Sequence, residues 1–196
     1  SETVGKYIEL ILEYLVKGIE DKRFYYDQHK ANEVIDWIEA HAFHTEGKLA
    51  PGPLLLEIWE KAFIASIYGI VNEDGKRVFR EVLLVIGRKN GKSLLASAIA
   101  KYEWLKGGGF GAKVYNIAPK LEQADIIYNN IWQMTLLDPE YQRMKEELNE
   151  KDEHNKRVND DSMLPKHRMS DLNVMGTNSK VKKIPFAAKR SDGFNP

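Results

Sequence analysis

The chain has 196 residues, of which 43% are hydrophobic and 30% charged, so it can form a folded core and does not resemble a disordered protein. Its 29 basic and 29 acidic residues balance, which excludes a general polycation and leaves only a local basic patch as a nucleic-acid signal. Cysteine is absent, which excludes disulfides, cysteine-ligated zinc and thiol catalysis and fits a reducing compartment.

Helical periodicity marks the first fifty residues. A first helix is predicted from one apolar face at helical spacing, formed by Ile8, Ile11, Leu12, Leu15 and Ile19. A second helix is predicted over about 28–42, with an inward side of Val34, Ile35, Ile38 and Ala42. His41 and His44 near its end indicate solvated or helix-terminal histidines rather than a metal site, because no acidic or cysteine partner completes a ligand set.

Pro51-Gly52-Pro53 interrupts the helical pattern and predicts a boundary between an N-terminal helical region, 1–50, and a second domain, 51–196. A third helix is predicted over about 54–68, with the apolar residues Leu55, Trp59, Ala62, Phe63 and Ile67. Asp74-Gly75 between apolar flanks then indicates a hairpin turn.

Strands and helices alternate in the middle of the chain. Residues 78–86, VFREVLLVI, predict a strand that is apolar throughout its second half, as in a strand buried on both faces. A helix is predicted from Ser93 to about 105, then a strand in KVYNIA, a helix over about 120–136 and another from Asp138-Pro139. This order predicts an α/β fold with a parallel sheet.

The last fifty residues are predicted to combine a loop and two strands. The charged stretch of about 146–170 predicts a loop, and DLNVMG and KVKKIPFAA predict strands around a turn at residues 177–179. The sequence shows no signal peptide and no apolar run long enough to cross a bilayer, which favours a soluble intracellular protein.

The sequence GRKNGKS lies between the predicted strand and the following helix. A phosphate-binding loop needs this position, because backbone N–H groups of the loop and of the first helical turn must converge on phosphate oxygens. Gly91 would allow close approach of the backbone, Lys92 would reach the β- and γ-phosphates, and Ser93 would ligate Mg²⁺. The common pattern has a glycine five residues before Gly91, where this chain has Ile86.

Arg88, four residues before Lys92, departs from the small neutral residues that usually fill such a loop. Inside the loop it would place a permanent positive charge near the γ-phosphate and stabilise the transition state, as an arginine finger does. Two alternatives stay open from the residues alone: Arg88 faces solvent, or Gly-Lys-Ser occurs by chance at a turn.

The segment VIGRKNGKSLLASAIAKYEWL resembles the deviant Walker A motif of the large terminase subunit, the DNA-packaging motor protein of tailed bacteriophages. In that family an arginine precedes the lysine by four residues and the first glycine is often missing. Downstream, VYNIAPKLEQADIIYNNI is similar to the segment after the P-loop helix, with Ala118, Gln123 and Ala124 at matching positions. Near the start of the chain, ANEVIDWIEAHAFHTEGKLAPG resembles the family's N-terminal helices.

Upstream of the loop, LLLEIWEKAFIASIYGI resembles the family's adenine-contacting segment. Trp59 matches, but Glu60 stands where the family has glutamine. An ionised glutamate only accepts hydrogen bonds, whereas glutamine both donates and accepts, so adenine selectivity through this position is left open. Trp59 is equally compatible with a place in the core.

The resemblance implies a P-loop NTPase-type parallel sheet after an α-helical N-terminal region, with ATP and Mg²⁺ as ligands. It implies catalytic roles for Lys92 and Arg88, and it implies Mg²⁺ binding by Ser93 through the nucleotide. The implied nucleotide-binding residues are Gly87, Arg88, Lys89, Asn90, Gly91, Lys92 and Ser93, with Trp59 and Glu60. The implied partners are double-stranded DNA, a small terminase subunit and the portal, in the cytoplasm of a bacterial host that carries a phage or prophage.

In this family a segment like FAAKRSDGFNP precedes a strand that ends in Asp-Glu, which organises Mg²⁺ and activates water. The sequence ends at Pro196, and the acidic pairs Glu73-Asp74 and Asp160-Asp161 fall in predicted turns or polar loops. The expectation is therefore an incomplete ATPase domain from a truncated, proteolysed or degraded prophage protein, without the nuclease, that keeps the phosphate-binding loop but loses hydrolysis. An unpaired sheet edge would then favour oligomerisation, strand rearrangement or aggregation.

A local basic excess lies near the end of the sequence. The predicted nucleic-acid contacts are Lys180, Lys182, Lys183, Lys189 and Arg190, and Lys166 and Arg168 add to the excess over Asp171 and Asp192. Such a patch suits a motor that holds the phosphate backbone with little sequence preference, and an ordinary solvated face is the alternative.

Two other functions compete with the packaging motor. One is another P-loop NTPase, either helicase-like or a small-molecule kinase, although no arginine-rich lid pattern supports the kinase. The other is a non-catalytic nucleic-acid or protein-binding module in which Gly-Lys-Ser is incidental. Lys92→Ala would abolish nucleotide binding in the motor and in the other NTPases and leave the module unaffected.

Overall fold

The computed structural model describes residues 5–149, 161–168 and 170–185. The helices are α1 (Lys6–Glu20), α2 (Gln28–His41), α3 (Ile58–Tyr68), α4 (Lys92–Tyr102), α5 (Leu121–Leu137) and α6 (Pro139–Asn149). The strands are β1 (Tyr25–Tyr26), β2 (Ile70–Val71), β3 (Lys113–Ala118), β4 (Lys166–His167), β5 (Asp171–Val174) and β6 (Ser179–Pro185). None of the helices in these described ranges combines the length and apolar character that a bilayer crossing requires.

The chain forms two compact units. The first comprises Ser1–Asp36 and Leu56–Val85, and the second comprises Trp37–Leu55 and Ile86–Pro196. The prediction of an N-terminal helical region, 1–50, and a second domain, 51–196, concerns function and stays a prediction.

The first unit is built around a small apolar core. Leu15, Phe24 and Ile70 are buried together, and Val78 and Phe79 pack against them. Strands β1 and β2 pair antiparallel, with Tyr25 opposite Val71. The predicted turn at Asp74-Gly75 is confirmed, since Asn72 N–H donates to Lys76 O over 2.9 Å and Gly75 has a φ of 71°.

The predicted strand over 78–86 is wrong. Residues 81–87 have no regular secondary structure, and the side chains of Val82, Leu83 and Val85 are 48%, 87% and 80% exposed. A strand buried on both faces needs neighbouring strands for its backbone groups and packed layers for its side chains. In the described part of the chain this run bonds to a strand only at its first residue, where Val78 N–H donates to Ile70 O of β2 over 3.0 Å, so its apolar composition alone does not make a strand.

The sheet of the second unit has the order β3-β6-β5-β4. Strands β3 and β6 are parallel, whereas β5 is antiparallel to both β6 and β4. The predicted α/β class is confirmed, and the strands predicted in KVYNIA and DLNVMG are present as β3 and β5. The strand predicted in KVKKIPFAA is present as β6 up to Pro185, and residues 186–188 lie outside the described residues. The sheet is mixed rather than wholly parallel, because β5 and β6 are joined by a tight turn with Asn178 at a φ of 55°, and a tight turn can join only antiparallel strands.

The core of the second unit lies on one face of this sheet. Its buried residues come from the sheet, from α5 and from the π-helical turn after α4, and they are Trp104, Tyr128, Ile131, Leu172, Val174 and Val181. Side chains alternate along a strand, so Val181 faces this core while its neighbours Lys180 and Lys182 face the other side.

The polar stretch predicted as a loop over 146–170 is ordered at both ends. Helix α6 extends to Asn149, a 3₁₀ turn covers Asp161–Met163, and β4 pairs with β5. Residues 150–160 lie outside the described residues. Hydrogen bonds to β5 stabilise β4. The polar composition of the segment could not predict this strand, because its partner lies elsewhere in the sequence.

Candidate nucleotide-binding site

The segment GRKNGKS forms a turn that leads directly into α4. Gly91 is the residue before the helix, with φ 71° and ψ 1° in the left-handed region that glycine adopts without steric penalty. Lys89 has a φ of 68°. Gly91 O accepts the first helical hydrogen bond, from Leu95 N–H over 2.9 Å. The predicted order was strand, loop and helix; the turn and the helix are present, whereas the strand is not.

The amino terminus of α4 presents unpaired backbone donors. The first N–H groups of an α-helix have no partner within the helix, and the helix dipole adds partial positive charge there. Gly91 offers no side chain to cap these groups, and the first turn contains no acidic residue. These properties favour an anion at this helix end.

Three cationic residues lie in the turn and at the first position of α4. Arg88, Lys89 and Lys92 are exposed, and none forms an ion pair with a carboxylate among residues 5–149, 161–168 and 170–185. Asn90 is also exposed, and a Cβ added at Gly87 would lie 3.1 Å from Asn90 Nδ2, so glycine lets this turn close tightly.

Ser93 is half-buried at the second position of α4, and its carbonyl oxygen accepts a hydrogen bond from Ser97 Oγ over 2.7 Å. Lys92 is at the first position, with its side chain in solvent. Gly87 to Ser93 form this turn and the start of α4, and their part in nucleotide binding stays a prediction. In the described part of the chain no cluster of histidine, aspartate and glutamate side chains could hold a metal ion.

Trp59 and Glu60 lie on α3, in the first compact unit, whereas the loop belongs to the second. Trp59 is 40% exposed, which rules out the core position considered from the sequence. Glu60 is buried, and its Oε2 accepts a hydrogen bond from Glu57 N–H over 2.9 Å. Glu60 therefore stabilises the start of α3, and an adenine contact by this pair stays a prediction.

The predicted nucleic-acid residues separate into different environments. Lys180 and Lys182 lie on the sheet face away from the core. Lys183 lies on the core side, where its Nζ is 2.5 Å from Asp125 Oδ1 and 4.7 Å from the ring centroid of Tyr128. Lys166 pairs with Asp161 over 2.9 Å and Arg168 is exposed. Lys189 and Arg190 lie outside the described residues.

The family model for the terminase large subunit ATPase domain matches residues 58–192, which is more than half of the chain and includes the loop and α4. The chain belongs to the terminase large subunit ATPase-domain family. Its fold is similar to that in the crystal structure of the HK97 bacteriophage large terminase, with a TM-score of 0.59 and 21% sequence identity. The match covers 85% of this chain and 29% of that one. No curated protein matches the chain.

Behind the loop, this terminase ATPase domain contains a buried ion pair that sequence reasoning missed. Lys101, on α4, is fully buried, and its Nζ donates to Asp138 Oδ2 over 2.7 Å, to His41 O over 2.5 Å and to Met134 O over 3.2 Å. Its position in the sequence offered a signal, because Lys101 lies three and seven residues after Ala98 and Leu94 and so shares their helix face.

The carboxylate of Asp138 is also held by other groups. His41 Nδ1 is 3.1 Å from Oδ2, and Glu140 N–H donates to Oδ1 over 2.9 Å at the start of α6. Burial lowers the pKa of Lys101. Burial would raise the pKa of Asp138, but His41 and Lys101 together outweigh it, so this pKa is lowered. The cluster joins α4 to α2, α5 and α6 and thereby fixes the direction in which α4 presents its amino terminus.

Proposed function

We propose that this terminase ATPase domain binds ATP·Mg²⁺ through the loop Gly87–Ser93 and serves as the nucleotide-binding part of a motor that packages double-stranded DNA into phage procapsids. The observation that supports this is the amino terminus of α4, which has no side-chain cap, follows left-handed Gly91, and adjoins three cationic residues that form no ion pair with a described carboxylate. Polyphosphate is the anion that needs both backbone donors and several positive charges in one place.

Each residue of the loop has a distinct part in this proposal. Lys92 contacts the β- and γ-phosphates, and Ser93 donates its hydroxyl oxygen to the Mg²⁺ that the nucleotide carries. Arg88 adds a fixed positive charge that stabilises the γ-phosphate as negative charge develops on it. Bound Mg²⁺ would neutralise part of the negative charge on the phosphates. Trp59 and Glu60 are proposed as base contacts.

The partners follow from the family. Double-stranded DNA is the substrate of the proposed motor, and a small terminase subunit and the portal are its proposed protein partners in the cytoplasm of the bacterial host. A helicase-like NTPase or an incidental Gly-Lys-Ser in a binding module is not favoured, because the terminase family model extends over 58–192 and not only over the loop.

Binding of a fluorescent ATP analogue in the presence of Mg²⁺ tests the proposal. Lys92→Ala should weaken binding about tenfold or more, because a hydrogen bond to a charged group contributes roughly 1.5–3 kcal/mol. Lys48→Ala removes an exposed lysine of the same compact unit outside the loop and should bind as the parent does. Equal affinity of Lys92→Ala and the parent protein would show that Gly-Lys-Ser is incidental.

A further inference from the structure

The strand register places lysines from three strands on one face of the sheet. Residues paired across strands share a face. Lys113 of β3 is paired with Lys180 of β6, and Tyr115 is paired with Lys182. Asn173 of β5, which is paired with Lys180, is also paired with Lys166 of β4. We call Lys113, Lys180 and Lys182 the lysine face.

The lysine face is turned away from the core of the second unit. The residues that alternate with it, Val114 and Val181, pack with the buried cluster that includes residues of α5. Lys113 and Lys182 are exposed and Lys180 is half-buried. Asn173 of β5 shares this side and is buried, so the exposed part of the face lies along β3 and β6, where the strands fix the spacing of Lys113 and Lys182.

The lysine face keeps an excess of positive charge within the described structure. None of its three lysines forms an ion pair with a carboxylate among the described residues. Lys166, on the same side, is neutralised by Asp161. Asp171 of β5 is paired with Lys182 and so shares this side; its carboxylate accepts a hydrogen bond from Asn173 Nδ2 over 2.9 Å and forms no ion pair with Lys182. Since the chain carries no net charge, this excess is local.

We propose that the lysine face contacts the phosphate backbone of double-stranded DNA without reading its sequence, an inference that rests on the proposed function. Lysines act as point charges toward phosphate, and the three residues that define the lysine face include no arginine for bidentate contact with a base edge. Arg168 lies beside Lys166, outside this set, with both side chains against Met175 Sδ. Tyr115 is the one aromatic residue on this side of the described strands. Single-strand binding sites stack successive bases on several aromatic rings, so the composition favours a duplex.

This assignment changes the residues predicted from the sequence. Lys183 drops out, because its ammonium group is paired with Asp125 on the other side of the sheet. Lys113 enters, although it lies on a separate strand and far from the basic stretch in the sequence. Strand pairing brings it beside Lys180, and local charge counting could not reveal that.

Anisotropy of a short labelled duplex, titrated at several salt concentrations, tests the lysine face. The triple variant Lys113→Gln/Lys180→Gln/Lys182→Gln should bind at least about tenfold more weakly at low salt, and its slope of log K against log salt should be smaller by about 2.7, which is 0.9 for each of three phosphates. Lys183→Gln should keep the parent slope, because this lysine faces the core side.

A second triple variant controls for total charge. Lys48→Gln/Lys76→Gln/Lys145→Gln removes the same charge from exposed positions elsewhere and should keep the parent affinity. Equal loss in both triple variants would overturn the proposal, and so would parent-like binding by the lysine-face variant. Tighter binding of a single strand than of the duplex would overturn the choice of partner.

Nucleotide binding, measured on the same samples, separates this proposal from the proposed function. If the parent binds the ATP analogue but no duplex, the lysine face is refuted while the nucleotide site stands. If it binds duplex through the lysine face but not nucleotide, the nucleotide site is refuted instead. Thermal unfolding of each variant verifies that exposed substitutions leave the fold intact.

Discussion

Gly91 connects backbone conformation to phosphate binding at the scale of a single residue. Its φ of 71° lies in the left-handed region, where a side chain costs roughly 1–2 kcal/mol. Gly91→Ala should therefore destabilise the fold by about this amount and also weaken binding of the ATP analogue, because relief of the strain would rotate the N–H groups at the start of α4. Chemical denaturation and nucleotide titration measure the two effects.

Gly109→Ala is the matched control for Gly91→Ala. Gly109 has a φ of 63°, and a Cβ there would meet no atom within 4 Å, so its substitution adds the same kind of strain in a different loop. It should lose similar stability and keep nucleotide affinity. If both variants bind nucleotide equally well, the conformation of Gly91 is unrelated to phosphate binding.

At the scale of elements, the pair Lys101–Asp138 joins α4 to the start of α6. Lys101→Met would leave the buried carboxylate of Asp138 without its ammonium partner, and breaking one side of a buried pair costs about 3–5 kcal/mol. Asp138→Asn in the same chain removes the orphaned charge and keeps a good helix cap. The double variant should therefore lose less unfolding free energy than the two single variants lose together. Urea denaturation of the parent, both single variants and the double variant measures this. Simple additivity would indicate that the two side chains do not interact.

The same pair predicts that the unfolding free energy falls at acid pH. The pKa of Asp138 in the folded chain is lowered, so its contribution is fully present above the unfolded pKa of about 3.9 and is lost as the pH falls through the folded value. Unfolding free energy should therefore decline more steeply below about pH 5 in the parent than in Asp138→Asn. Identical acid limbs would contradict an ionised Asp138 in the folded chain.

Sequence patterns predicted the elements whose stability is local. Alternation in KVYNIA and the helical period after residue 120 gave β3 and α5 within about one residue, and the loop before α4 was identified from residue types and order. The run 78–86 failed because a strand depends on pairing partners elsewhere in the chain. Lys101 was missed because a buried lysine requires acceptors from α2, α5 and Asp138, which are remote in sequence.

At the scale of the whole molecule, the described chain leaves a β-type apolar segment without a strand partner. Leu83 and Val85 are exposed by 87% and 80% in a run without regular structure. Short, uncharged runs of high β propensity promote pairing between chains. We therefore expect association that increases with protein concentration, and Leu83→Lys should reduce it because a charge blocks such pairing.

Sedimentation velocity over a range of concentrations measures this association. Leu83→Lys should shift the protein towards monomer with little change in melting temperature, since substitutions at exposed sites usually change stability by less than about 0.5 kcal/mol. Leu49→Lys places the same charge on another exposed leucine, outside the apolar segment, and should associate as the parent does. A parent that stays monomeric at every concentration would contradict the expectation, because the exposed segment would then have no tendency to pair. Equal dispersal by both lysine variants would instead attribute the association to general hydrophobicity rather than to this segment.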